Sequence, residues 1–202
     1  PPQDVKYRGE PSTLTIGEDC QIREGVTMNP GTEGGGMITS VGDRCFFLAN
    51  SHVGHDSRLG SNVIFSNNVM CAGHVTIGNF VIVGGGAGLQ QFIRIGDHAF
   101  IGGGAGVLSD VIPFGTIRDN PAHLVGLNLI GLKRRGFTRE QIHELRRAYR
   151  SLFAAEGTLT ERVEDVAAEF SDDPLVHEIL NFIREGGDKA LCTPRDATVA
   201  DR

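Results

Sequence analysis

The residues with the most chemical promise in this 202-residue chain lie in one short span, Asn50-Ser51-His52-Val53-Gly54-His55-Asp56, joined by His74 further on. His52, His55 and His74 each offer an imidazole, and Asp56 follows His55 directly. Two chemistries suit such a set. In the first, a carboxylate orients an imidazole that takes a proton from a hydroxyl, which is general-base catalysis. In the second, three imidazoles hold zinc and leave a fourth position open for water. The demands conflict, because a base needs a free ring nitrogen and a ligand has none. A single histidine on a surface turn is ordinarily solvated and inert. Beside His74, Gly73 carries a backbone N–H able to meet a developing oxyanion, although a turn glycine is the plainer reading of that residue.

A six-residue repeat brings the distant members of this set together. Counting in sixes from Val41 gives Val41, Phe47, Val53, Leu59, Phe65, Cys71, Ile77, Val83, Leu89, Ile95, Ile101 and Val107, all apolar. Glycine follows the apolar position at 42, 54, 60, 78, 84, 96 and 102. Neither a period of 3.6 nor one of 2 produces this pattern. It predicts a parallel β-helix in which each hexad supplies a short strand and a corner. The apolar residue points inward, and the glycine beside it lets the backbone turn. Resemblance to known hexapeptide-repeat proteins implies three hexads per coil and a left-handed winding, against the usual crossover rule. With eighteen residues per coil, His74 falls almost above His55, which is nineteen residues earlier.

The register starts earlier, at Ile16-Gly17, Ile22 and Met28, and is interrupted after Met28. Asn29-Pro30-Gly31-Thr32-Glu33-Gly34-Gly35-Gly36 is rich in turn formers, so an excursion loop is expected near 29–40. Gly84 to Gly86 and Gly102 to Gly104 lack the strand–loop–helix setting of a nucleotide fingerprint and read as turns. Gly103 and Gly104 still leave a groove bare of side chains, where a chain-like ligand can lie. The repeat fades after Val107, and Thr138 reads as the N-cap of a helix. Two more helices are expected over 159–170 and 174–184. The expected organisation is a β-helix over 1–130, a small helical domain over 131–190 and a disordered tail over 191–202.

Composition narrows the classes. The formal charge of −6 disfavours nucleic acid or an anionic membrane as a partner of the whole protein. Cys20, Cys45, Cys71 and Cys192 form no CxxC pair, which argues against a thiolate zinc site and for reduced cytosolic thiols. No stretch is apolar for long enough to cross a bilayer. Lys133-Arg134-Arg135, extended by Arg146, Arg147 and Arg150, is a basic strip suited to phosphate groups or to an acidic partner.

His52-Val53-Gly54-His55-Asp56, Ala72-Gly73-His74-Val75, Gln91-Phe92 and Gly131-Leu132-Lys133-Arg134-Arg135-Gly136-Phe137 together resemble the acyl-carrier-protein–UDP-N-acetylglucosamine O-acyltransferases, as does the opening Gln3 to Pro11. The resemblance covers nearly the whole chain. It implies transfer of an (R)-3-hydroxyacyl group from acyl carrier protein to the glucosamine 3-hydroxyl, the first step of lipid A synthesis. It makes His55 the general base, Asp56 its partner and Gly73 the oxyanion donor. It gives Asp4, Lys6, His52, His74 and Gln91 to the sugar nucleotide and the acyl-pantetheine arm. Asn128, Arg134 and Arg135 bind the uracil and phosphate end, and Gly103 sits where the acyl tail ends, admitting a relatively long chain. No metal or cofactor is implied. A cytoplasmic homotrimer with sites between subunits is.

Two departures stand out. Family members usually begin with several more coils before the Gln3-Asp4-Val5-Lys6 segment, so a shortened or processed chain with an open first coil is expected. The family's polar Asn-His pair appears here as Asn120-Pro121, and His123 receives no nucleotide role. A γ-type zinc carbonic anhydrase and a non-catalytic trimeric scaffold are the competing functions. The γ enzymes space their zinc ligands differently.

Overall fold

The structure, a computed structural model, describes residues 1–195. It is a parallel β-solenoid with three faces, followed by four helices. Face one stacks Thr13–Ile16, Ile38–Val41, Arg58–Leu59, Thr76–Ile77 and Arg94–Ile95. Face two stacks Gln21–Ile22, Phe46–Phe47, Ile64–Phe65, Ile82–Val83, Phe100–Ile101 and Gly115–Arg118. His123–Leu127 then closes face two as an antiparallel strand, which the fading repeat did not predict. Face three stacks Thr27–Met28, His52–Val53, Met70–Cys71, Gly88–Leu89 and Gly106–Val107.

The hexad pattern forms the core. All twelve repeat positions from Val41 to Val107 are 5% exposed or less. In the first coil Ile16 and Ile22 are 41% and 47% exposed, because that coil has a neighbour on one side only.

The corner glycines act differently from the sequence reading. Every sixth residue from Arg44 to Gly104 has a left-handed φ, between 53° and 69°. Asn, Asp, His and Phe hold most of these positions, two residues after the expected turn glycine. The glycine is needed for close stacking instead. A Cβ on Gly54 would lie 2.5 Å from the carbonyl carbon of Ala72 in the next coil. The left-handed residue then points its N–H at the coil before it: His74 donates to the His55 carbonyl at 2.9 Å, and His98 to Asn79 at 2.8 Å. This ladder locks neighbouring corners in register.

The helices are α1 (Leu129–Arg134), α2 (Arg139–Leu152), α3 (Leu159–Glu169) and α4 (Pro174–Glu185). Thr138 and Thr158 open α2 and α3 with capping boxes, and Asp173 caps α4 ahead of Pro174. The short α1 is new relative to the sequence reading. Arg94 ties this region to face one. Its Nε donates to Asp110 Oδ2 at 2.8 Å, its Nη2 to the Phe182 carbonyl at 3.0 Å, and its guanidinium lies 4.2 Å from the Phe182 ring centroid. The tail expected from residue 191 starts out ordered: Leu191 bridges Asp110 and Cys192 is 5% exposed. The remainder, 196–202, lies outside the described residues. Among the described residues, no helix is long and apolar enough to cross a membrane.

Candidate active site

The chemistry gathers at one corner of the prism. His52–Val53 on face three turns through Gly54, His55, Asp56 and Ser57 into Arg58–Leu59 on face one. Val53 faces the core, so its strand neighbour His52 faces out, and His55 occupies the turn. His55 and Asp56 are 7% and 4% exposed. His55 Nδ1 lies 2.8 Å from Asp56 Oδ2.

The excursion loop explains how a carboxylate stays buried there. Its 3-10 turn, Glu33–Gly35, presents Thr32 to Asp56. The Thr32 N–H donates to Oδ1 at 2.7 Å, and the Thr32 hydroxyl donates to Oδ2 at 2.6 Å. A side chain at Gly35 would overlap the Asp56 carboxyl, so the loop needs glycine at that point. Burial alone raises the affinity of Asp56 for a proton. The hydrogen bonds from Thr32 and His55, with the nearby His74, outweigh burial and hold the carboxyl below its ordinary value. An ionised Asp56 accepts from Nδ1–H, and that fixes the tautomer whose Nε2 bears a lone pair.

Gly73 packs over the face of the His55 ring. A Cβ at position 73 would sit 2.7 Å from His55 Nε2. The ring's Cε1 and Cδ2 would lie 2.8 and 3.1 Å from the same Cβ, so glycine is what lets the imidazole rest in its Asp56-bonded position. Among the described residues, the Gly73 N–H has no acceptor. His74 completes the corner. Its ring meets His55 edge-on at 5.0 Å and stacks on Phe92 at 4.6 Å, and its Nε2 is 3.7 Å from Asp56 Oδ2. Burial, aided by His55, holds His74 below the usual imidazole range despite Asp56. The charges of Asp4 and Lys6 also act on His74, and the Gln3 N–H anchors the chain start to Asn29 Oδ1 at 2.7 Å. Gln91 is exposed at the next corner, beside Phe92.

His52 departs from the expected cluster. It stands on face three with Nδ1 2.8 Å from Thr27 Oγ1. The ligand atoms of His55, Asp56 and His74 lie within 4.8 Å of one another, without His52. Two imidazoles and a carboxylate already bonded to Thr32 suit the orienting of a base better than the three-imidazole zinc set.

A second group lies elsewhere. Asn128, Arg134 and Arg135 line a cleft of about 650 Å³ against Ile82 and Phe100 on face two. Asn128 Oδ1 accepts from the Gly131 N–H at 3.0 Å and caps α1. Arg135 Nη2 donates to the Phe80 carbonyl at 2.7 Å, while its Nη1 is buried without a partner among the described residues. Arg118 also lines the cleft and escaped the sequence reading. In the basic strip, Arg147 is taken up by Glu144 and Glu169. Gly103 lies at a third place, the corner between faces two and three, where a Cβ would be 3.2 Å from the Gly85 carbonyl. One chain thus keeps the His55 corner, the arginine cleft and the Gly103 groove apart. The first lies opposite the face that carries the second.

The fold, a three-faced hexapeptide solenoid followed by helices, is the one shared by solved UDP-N-acetylglucosamine acyltransferases. Comparison with known proteins gives the particular family. A model described as "Udp N-acetylglucosamine O-acyltransferase; Domain 2" matches residues 110–192. The acyl-[acyl-carrier-protein]–UDP-N-acetylglucosamine O-acyltransferase of Methylobacterium radiotolerans is 67% identical over 195 residues, covering 96% of this chain and 72% of that protein. Its Agrobacterium fabrum counterpart is 50% identical over 194 residues, with the same two coverages of 96% and 72%. The solved UDP-N-acetylglucosamine O-acyltransferase of Moraxella catarrhalis superposes with a TM-score of 0.91 at 34% identity, covering 95% of this chain and 74% of that one. The chain belongs to the acyl-[acyl-carrier-protein]–UDP-N-acetylglucosamine O-acyltransferase family.

Proposed function

We propose that this protein transfers an (R)-3-hydroxyacyl group from acyl carrier protein to the 3-hydroxyl of UDP-N-acetylglucosamine, the opening step of lipid A synthesis. The observation that carries the mechanism is His55, bonded to Asp56 through Nδ1 at 2.8 Å, with Gly73 close against the face of its ring. Nε2 takes the hydroxyl proton as the oxygen attacks the thioester carbonyl. Asp56 stabilises the resulting imidazolium. The Gly73 N–H meets the carbonyl oxygen as it gains charge. The carbon–sulfur bond then breaks, and the imidazolium returns its proton to the leaving pantetheine sulfur.

Asp4, Lys6, His52, His74 and Gln91 hold the sugar and the pantetheine arm. Asn128, Arg134 and Arg135 take the uracil and diphosphate. Because the two groups lie on opposite sides of one prism, the complete site forms between copies, in a homotrimer. The outer side of face two supports this assembly, since Phe46, Ile64, Ile82 and Phe100 form an apolar column in strand register. Acyl carrier protein, which is acidic, docks on the exposed cations Lys133, Arg146 and Arg150. The acyl tail ends beside Gly103, and the enzyme works in the cytoplasm.

Mass spectrometry of the products from a panel of acyl carrier protein donors tests the reading. A 3-O-acylated UDP-N-acetylglucosamine with a preferred long chain is expected. No acylated product from any donor contradicts it.

A further inference from the structure

The corner between faces one and two carries a feature with no part in the chemistry so far described. Three residues on successive coils, Phe80, His98 and Phe114, all take left-handed φ values and stack their rings in one column, from partly exposed Phe80 to fully buried Phe114. Phe80 and His98 are 4.9 Å apart and 4° from parallel, and His98 and Phe114 are 5.6 Å apart and 14° from parallel. Phe137, just beyond α1, closes edge-on against His98 at 5.1 Å.

Each backbone carbonyl of this column accepts a bond from the segment that lines the cleft. Arg135 Nη2 donates to Phe80 at 2.7 Å, Asn128 Nδ2 to His98 at 2.9 Å, and the Asn128 N–H to Phe114 at 2.7 Å. The Arg135 guanidinium also lies 5.6 Å from the Phe80 ring centroid. Both ends of α1 are therefore seated on one aromatic stack, with His98 as its middle rung. We propose that this column aims Arg135 into the cleft, and that His98 is the positioning residue on which its geometry depends.

The chemistry of the rung fits. His98 Nδ1 is buried and has no hydrogen-bond partner among the described residues, so a proton placed there would find no acceptor. Burial first, and Arg135 second, hold the ring below the ordinary imidazole range, against the opposing pull of Asp97. A neutral flat ring between two phenyl rings packs without repelling the guanidinium next to it.

The inference rests on the reading of Arg135 as a nucleotide contact, and the test separates the two. KM for UDP-N-acetylglucosamine, KM for the acyl donor and kcat are measured for His98→Ala, His98→Leu, His98→Phe and Arg135→Ala. His98→Ala is expected to raise the nucleotide KM about tenfold, with kcat and the donor KM within about twofold. His98→Phe, which rebuilds the flat rung, is expected to restore it. His98→Leu keeps the volume without the stack and should behave like alanine, which covers the case that the alanine variant does not fold. If Arg135→Ala raises the nucleotide KM while His98→Ala and His98→Leu match wild type, the positioning role is wrong. A uniform loss in kcat and both KM values also overturns it. If Arg135→Ala changes nothing, the nucleotide reading itself falls, and the proposal with it.

Discussion

Replacing Asp56 with asparagine probes the site with one atom. The carboxylate accepts the Thr32 N–H on Oδ1, and the Thr32 hydroxyl and His55 Nδ1–H on Oδ2. An asparagine amide has two ways to sit there. With its NH2 at the Oδ1 position, it would face the Thr32 N–H, donor against donor, at a site only 4% exposed. With its NH2 at the Oδ2 position, the Thr32 hydroxyl can rotate to accept, and the remaining N–H points at His55 Nδ1. The second arrangement avoids the buried clash and is the one expected. It forces His55 into the opposite tautomer, with the proton on Nε2, where the base should have its lone pair. A serine hydrolase loses about 10⁴ in kcat from the same wrong-tautomer change, and general-base catalysis contributes about 10² to 10⁴. The expected loss in kcat is therefore about 10² to 10⁴, with substrate KM values little changed. The assay is the initial rate of free acyl carrier protein thiol release with saturating UDP-N-acetylglucosamine. Stability should fall by about 1–3 kcal/mol, because a charged acceptor is replaced by a neutral one. A variant that folds and keeps a kcat within threefold of wild type refutes the orienting role of Asp56.

Three further outcomes follow from other contacts. Gly73→Ala places a methyl 2.7–3.1 Å from three atoms of the buried His55 ring, which must shift, so kcat should fall at least 100-fold, on the order of the general-base contribution, and stability by about 1–3 kcal/mol; steady-state kinetics and calorimetry check the pair. Asp110→Ala removes the acceptor of the Arg94 guanidinium at 2.8 Å and of its N–H at 2.8 Å, and should cost about 2–4 kcal/mol in denaturant unfolding. Burial, with Asp97 adding, raises the Glu178 carboxyl to about 7. A carboxyl raised on folding contributes stability that is fully present below its unfolded value, near 4.5, and is lost as pH rises through about 7. Glu178→Gln should therefore raise stability at pH 8 by about 1–3 kcal/mol and change little at pH 4 to 5.

The hexads made the solenoid legible because each inward position repeats one requirement, an apolar side chain that stacks on its neighbour eighteen residues away. The same spacing placed His74 against His55. The glycines misled in one respect: their role is close stacking, which depends on the next coil and not on local φ. Gly54 shows this, as the left-handed residue is Asp56, two positions on. His52 and His55 share one short span of sequence, but strand alternation turns His52 onto a flat face. Thr32 stayed hidden because it reaches Asp56 through a loop twenty-four residues away; the broken register after Met28 marked the loop but not its target. Arg118 lines the cleft through the hairpin that ends face two, where the repeat had already faded. Phe80 and His98 were eighteen residues apart in plain view, yet their function emerges only when α1 is seated on them.

The proposed mechanism stands on His55 as the base. The most direct measurement compares wild type with His55→Ala, using (R)-3-hydroxyacyl–acyl carrier protein and UDP-N-acetylglucosamine, with the 3-O-acyl product quantified by mass spectrometry. The wild-type protein is expected to form product, and the variant to fold and bind UDP-N-acetylglucosamine while its rate falls by about 10² to 10⁴. A variant that transfers acyl groups at the wild-type rate contradicts the account.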